Sequence, residues 1–223
     1  MARAMSVAAN ILRGHVMAHV TKEETWARLD IDTDKASIIV IERWKYNFLP
    51  GPDGKAWTTN EQKTFHAAVF KQVTSTWNYK WRLDVRGTAP FARKHKHAYV
   101  NFDIRRVDTD QHWTVDVRKM PPGSNPTSFI SNVDRPALKI NLDSADLDSY
   151  TPTNDAGKSH KFRAVPHEFG HTFPGVEDEY IAGAADLADT NSIMNIGNEI
   201  RSRHLKPILD SLNTMIPDCE FRP

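Results

Sequence analysis

The chain has 223 residues, 39% hydrophobic and 26% charged, which fits one soluble globular domain and argues against wholesale disorder. Lys+Arg is 29 and Asp+Glu is 28, so the net charge of +1 advertises neither nucleic acid nor an anionic membrane as a partner. The single cysteine, Cys219, excludes an intramolecular disulfide and a multi-cysteine zinc site, which leaves the ten histidines and the carboxylates to hold any metal.

Residues 1–35 are weakly periodic and read as an N-terminal arm or short helix packed on a domain of 36–223. The apolar stretch near the start is about five residues long before Arg13 and His15 break it. That is shorter than the ~7–15 residues of a secretory h-region, so the chain does not read as a Sec substrate. No apolar run approaches the ~18 residues that would span a bilayer.

Residues 36–49 open with the β-branched run Ile38–Ile41 and alternate through Trp44, Tyr46 and Phe48, which predicts a strand ending at Pro50 and Gly51. Thr58 and Glu61, like Thr59 and Gln62, have capping-box spacing. Phe65, Val69, Val73 and Trp77 then follow at i, i+4 spacing, so 58–78 reads as an amphipathic backing helix. Strands are expected over 82–86, 97–107, 112–119 and 137–142, with Asp108–Gln111 turning the second into the third, and 120–136 is expected to be a loop. A helix is expected within 159–173, with Pro166 either kinking it or lying in its first turn. A final helix is expected over 201–215, with Leu205, Ile208, Leu209 and Leu212 on one side. The order of elements indicates a single α+β domain.

The chemistry concentrates in His167-Glu168-Phe169-Gly170-His171, an H-E-x-x-H motif. On a helix, i and i+4 lie on one face, so His167 and His171 can present two imidazole nitrogens to one Zn²⁺ at ~2.0–2.1 Å. Glu168 can reach the water that zinc activates without ligating the metal, and can act as general base and then acid. Phe169 and Phe173 supply the apolar face of this helix. Catalytic zinc needs a third protein ligand and an open fourth position. Pro174 and Gly175 end the helix, Glu177, Asp178 and Glu179 follow in a row, and a turn-like stretch surrounds Met194.

These motifs resemble those of metzincin-type zincin metallopeptidases, whose pattern is H-E-x-x-H-x-x-G-x-x-H/D followed by a Met-turn. The match spans 167 to about 204. The stretch HEFGH, DEY, SIMN and RH is most similar to bacterial metallopeptidase domains, including some carried by secreted or injected toxins. The resemblance implies a zincin-like α+β fold: a twisted mixed sheet, a backing helix, an active-site helix and a C-terminal helix. Its upper part would be 36–173 and its lower part 174–223. It also implies one catalytic Zn²⁺, a protein or peptide substrate added along an edge strand, and a secreted or injected effector rather than a housekeeping cytoplasmic enzyme. The sequence departs from the pattern at Pro174, which stands where the glycine should be, with Gly175 one place late. Counting from Gly175 selects Asp178 as third ligand, and counting from His167 selects Glu177. A gluzincin-like arrangement would use Glu199. Met194 would form the apolar floor beneath the metal. The tyrosine that follows the turn in several metzincins is replaced by Asn195-Ile196, and His204 is the candidate to donate to the oxyanion in its stead.

Two other readings remain: a zinc-dependent hydrolase of a non-protein amide such as cell-wall peptide, or an inactive zinc-stabilised binding module. The basic run Arg93–His97 could favour acidic partners, and His95 and His97 could share a strand face at a second metal.

Overall fold

The computed structural model describes residues 18–124 and 131–223. A mixed sheet of nine strands carries the fold, with four α-helices among the described residues. The strands are β1 (His19–Glu23), β2 (Arg28–Asp32), β3 (Ser37–Leu49), β4 (Trp81–Gly87), β5 (His97–Arg106), β6 (Trp113–Arg118), β7 (Asn132–Asp134), β8 (Lys139–Asp143) and, past a small separate hairpin of β9 (Ser149–Tyr150) and β10 (Phe162–Arg163), β11 (Cys219–Arg222). The helices are α1 (Thr59–Trp77), α2 (Pro90–Lys94), α3 (Ala164–His171) and α4 (Lys206–Leu212). The main order across the sheet is β11-β4-β5-β3-β6-β8-β7, and the β1–β2 hairpin pairs onto β3.

The long strand β3 organises this sheet. Its first half pairs parallel with β5 (Ser37↔Tyr99 to Trp44↔Arg106) and its second half parallel with β6 (Trp44↔Trp113 to Leu49↔Arg118). β5 and β6 therefore lie on opposite sides of β3, and residues 107–112 cross that strand instead of forming the tight hairpin expected there. His112 secures the crossing: its backbone N–H donates to the Arg43 carbonyl at 2.9 Å and its Nδ1 accepts from the Arg43 N–H at 2.9 Å.

Other expectations are corrected in the same way. The described part of the N-terminal stretch is neither an arm nor a helix but the β1–β2 hairpin, and residues 1–17 lie outside the described residues. Within 120–136, expected to be loop throughout, β7 pairs antiparallel with β8, and 125–130 lie outside the described residues. The last helix is shorter than expected, a 3-10 turn (Ser202–Leu205) leading into α4. The chain end does not stay in the lower part, because β11 returns to pair with β4 at the far edge of the sheet.

The core lies between one sheet face and the helices. Alternate residues of the strands (Ile38 and Val40, Val100 and Phe102, Val115 and Val117) are buried, as are Phe65, Val69, Val73 and Trp77 of α1. Thr58 and Glu61 form the capping box that starts α1. The junction of α1, α3 and the sheet is aromatic: the rings of Trp77, Phe102, Phe169 and Phe173 all lie within 5.1–5.7 Å of one another. Such ring pairs contribute about 0.5–1.5 kcal/mol each beyond buried area, so α3 is fixed to the sheet.

Candidate metal centre

α3 begins directly after β10, and Pro166 falls in its first turn, where a missing N–H leaves no intrahelical bond unmade. The Trp77 indole N–H donates to the Pro166 carbonyl at 3.0 Å and ties the start of α3 to α1. Phe173 and Gly175 close the helix. Gly175 has φ of +75°, a left-handed conformation that glycine adopts without strain, and it turns the chain back under α3. A lone positive-φ residue there is what brings Asp178 back to the histidines.

His167, His171 and Asp178 converge, with ligand-type atoms all within 4.8 Å of one another. His167 Nε2 lies 3.1 Å from His171 Nε2 and 3.2 Å from Asp178 Oδ1, and His171 Nε2 lies 2.9 Å from the same oxygen. The other ring nitrogens are committed. His167 Nδ1–H donates to the Ile193 carbonyl at 2.6 Å, and His171 Nδ1–H donates to the Val176 carbonyl at 3.0 Å. Both Nε2 lone pairs therefore point at each other and at a carboxylate oxygen. Three acceptors packed this closely repel unless a proton or a metal cation lies among them. A tetrahedral zinc at ~2.0–2.1 Å from its ligands would set them ~3.3 Å apart, close to the spacings found, and backbone carbonyls on the distal nitrogens are the usual support of ligating histidines.

Where no metal lies among these groups, a proton takes its place: burial would raise the Asp178 pKa, but hydrogen bonds from protonated histidines outweigh it and hold the carboxyl well below its ordinary range. Burial would lower the His171 pKa, but Asp178 and the field of Glu168 raise it overall. Glu168 is buried, and burial pushes its pKa up despite the neighbouring histidines. Its Oε2 is buried without a hydrogen-bond partner. A buried carboxylate oxygen with nothing to accept from is suited to taking a proton from a guest.

The remaining expected residues are placed elsewhere. Glu177 is 69% exposed and pairs with Arg135. Glu199 is 61% exposed, pairs with Arg201 at 2.8 Å, and its backbone pairs with the Met194 turn through Ile193 N–H and Asn191 O. His204 is buried, its Nδ1 accepts the Arg201 N–H at 3.1 Å, and its Nε2 faces Glu179 at 3.2 Å and Ser192 at 3.4 Å. No donor of His204 remains for an oxyanion, so the structure gives it a structural task in place of the expected one. Met194 is fully buried beneath α3. His95 caps the end of α2 and meets the Thr33 carbonyl at 2.9 Å, and His97 faces Asp84 at 3.1 Å, so they do not share a strand face. Among the described residues the His167–His171–Asp178 group is the one arranged to hold a metal.

Sequence reasoning missed Tyr180. Its ring centroid lies 6.0 Å from that of His167. Burial, then Asp178 and Glu168, push its pKa up, and burial with Asp146 and Glu168 pushes that of Tyr150 up to about 12. Both phenols stay protonated near neutrality. Only the closeness of Tyr180 to Asp178 in the sequence could have signalled it.

No family model matches the chain, and neither a curated protein nor a solved structure matches it.

Proposed function

We propose that this protein is a zinc-dependent metallopeptidase of the metzincin type, and that the H-E-x-x-H helix with Asp178 is its catalytic centre. The observation that carries this reading is the pairing of a three-acceptor cluster with the buried, unpartnered Oε2 of Glu168 beside it. His167, His171 and Asp178 would hold the metal. When bound, zinc supplies a Lewis acid and lowers the pKa of water at its open position to about 7. Glu168 takes the proton from the attacking water and delivers it to the leaving amine, and its burial raises its proton affinity toward that task. Tyr180, whose ring lies 6.0 Å from that of His167, is the candidate for the oxyanion donor expected of His204. Met194 packs as the floor and binds nothing.

A mixed sheet whose last strand, β7, runs antiparallel to its neighbour suits a zincin-like cleft. An extended peptide can add to the edge that β7 leaves unpaired among the described residues, by main-chain hydrogen bonds. No described helix is long and apolar enough to cross a membrane. We assign the chain to the secreted or injected effectors on the toxin-domain resemblance of its motifs.

Incubating an unbiased protein lysate with the purified chain and mapping the new N-termini tests this function. New N-termini that appear with wild type and are absent with a chelator support a peptidase. Cell-wall peptide cleaved with no new protein N-termini would assign the same chemistry to a non-protein amide. Zinc uptake without cleavage of either would leave a binding module.

A further inference from the structure

The segment 174–201 carries Asp178 and Met194, yet it contains no helix or strand. Backbone turns and side-chain bonds give it its shape, and several of those bonds meet at Glu179, the residue after Asp178. The Glu179 N–H donates to the Met194 carbonyl at 2.7 Å, and its own carbonyl accepts from Asn195 Nδ2 at 3.1 Å. Its carboxylate takes the Arg203 guanidinium as a fork, Nε to Oε1 and Nη2 to Oε2, both at 2.7 Å. His204 Nε2 adds a third contact at 3.2 Å. Arg203 Nη2 also reaches Asp189 at 2.9 Å, and Asp189 in turn holds Arg201 by two bonds at 2.8 Å.

Asp178 is thus bracketed. On one side the Val176 carbonyl is taken by His171, and on the other every polar group of Glu179 is engaged. Neighbouring side chains of an extended segment point to opposite sides, so fixing Glu179 against α4's approach fixes Asp178 toward the histidines. A buried carboxylate in a two-bond guanidinium fork has little freedom, whereas a single ion pair would leave it loose.

We propose that Glu179 and Arg203, with His204 behind them, are positioning residues that aim Asp178 at the metal and so set its affinity without touching it. This rests on reading the His167–His171–Asp178 group as a zinc centre. Arg203 and His204 lie on the turn before α4, so the start of the chain's last helical segment is tied to Asp178 through one peptide bond.

Zinc titration of the full chain, stripped of metal and competed against a chromophoric chelator, tests the clamp. Support groups behind metal ligands typically contribute 10–100-fold to affinity, so Glu179→Gln and Arg203→Met should each weaken zinc binding about that much. Arg203→Lys, which keeps the charge and loses the fork, should fall between. The double variant Glu179→Gln/Arg203→Met should be no weaker than the worse single, because both break one device. A merely structural pair would lower the melting temperature of the metal-free chain and leave zinc affinity, measured well below melting, unchanged. If Glu179→Gln proves unfolded by near-ultraviolet circular dichroism, Arg203→Lys decides alone. Wild-type zinc binding with affinity within about threefold in these variants overturns the clamp alone. A wild-type chain that takes up no zinc overturns the metal reading, and the clamp with it.

Discussion

The sulfur of Met194 occupies the space beside Gly170 that a side chain there would need: a Cβ on Gly170 would stand 2.4 Å from Met194 Sδ and 3.2 Å from the Trp77 ring. This explains a glycine in the last turn of α3, where alanine would otherwise be the better helix former. The bare helix backbone lets the floor of the site rise directly beneath the two histidines.

Gly170→Ala should therefore destabilise the fold by about 1–3 kcal/mol, because overpacking outweighs the gain in helix propensity. The cost should shrink when Met194 is also made Ala, since the clash partner is then gone. Denaturant unfolding of the four chains of this cycle checks it. Equal costs in both backgrounds would mean that the two residues do not meet.

Glu42 should make stability fall as pH rises. It is fully buried on β3, and burial pushes its pKa up to about 8, although Thr172 and Trp44 bond to it. The Thr172 hydroxyl has one proton and two acceptors near it, the Phe169 carbonyl at 2.6 Å and Glu42 Oε1 at 2.5 Å. A protonated Glu42 resolves this by donating to Thr172. The native state then holds a proton that the unfolded chain releases above about 4.5. Stability from this group is complete below that pH and is lost progressively up to about 8. Glu42→Gln should remove this slope, with a difference on the order of 4 kcal/mol accumulating across the window. Urea unfolding of metal-free chains at the two ends of the window checks it, and parallel curves would contradict it.

Ligand identity separates the three candidate carboxylates Asp178, Glu177 and Glu199. Asp178→Ala and His171→Ala should lose most of their zinc, and Glu177→Ala and Glu199→Ala should keep it, since those two carboxylates are exposed and paired with Arg135 and Arg201. Metal analysis of protein purified without chelator reads this directly. Zinc retained by Asp178→Ala and lost by Glu177→Ala would restore the count from His167.

The parts of this architecture visible in the sequence are those set by local spacing. The i, i+4 histidines, the Thr58–Glu61 capping box and the buried stripe of α1 each depend on residues within one or two turns. The carboxylate stretch could be bracketed from Gly175, whose positive φ fixes the reversal. Features set by distant pairing were hidden. β1 (HVTKE) has no apolar alternation of its own and becomes a strand because Leu29 and Ile31 of its partner β2 are buried. β11 is drawn into the sheet by β4, more than a hundred residues earlier in the chain. The task of His204 depends on Glu179 and Ser192, which reach it only through an irregular loop, so no spacing rule could have assigned it.

On the proposed reading Glu168 acts as a base beside a metal it does not bind, and the Glu168→Gln chain separates those two roles. That chain should carry about one zinc, as wild type should, while its peptide-bond cleavage on the same lysate falls by about 10²–10⁴-fold. Cleavage near the wild-type rate, with zinc in place, would contradict the account.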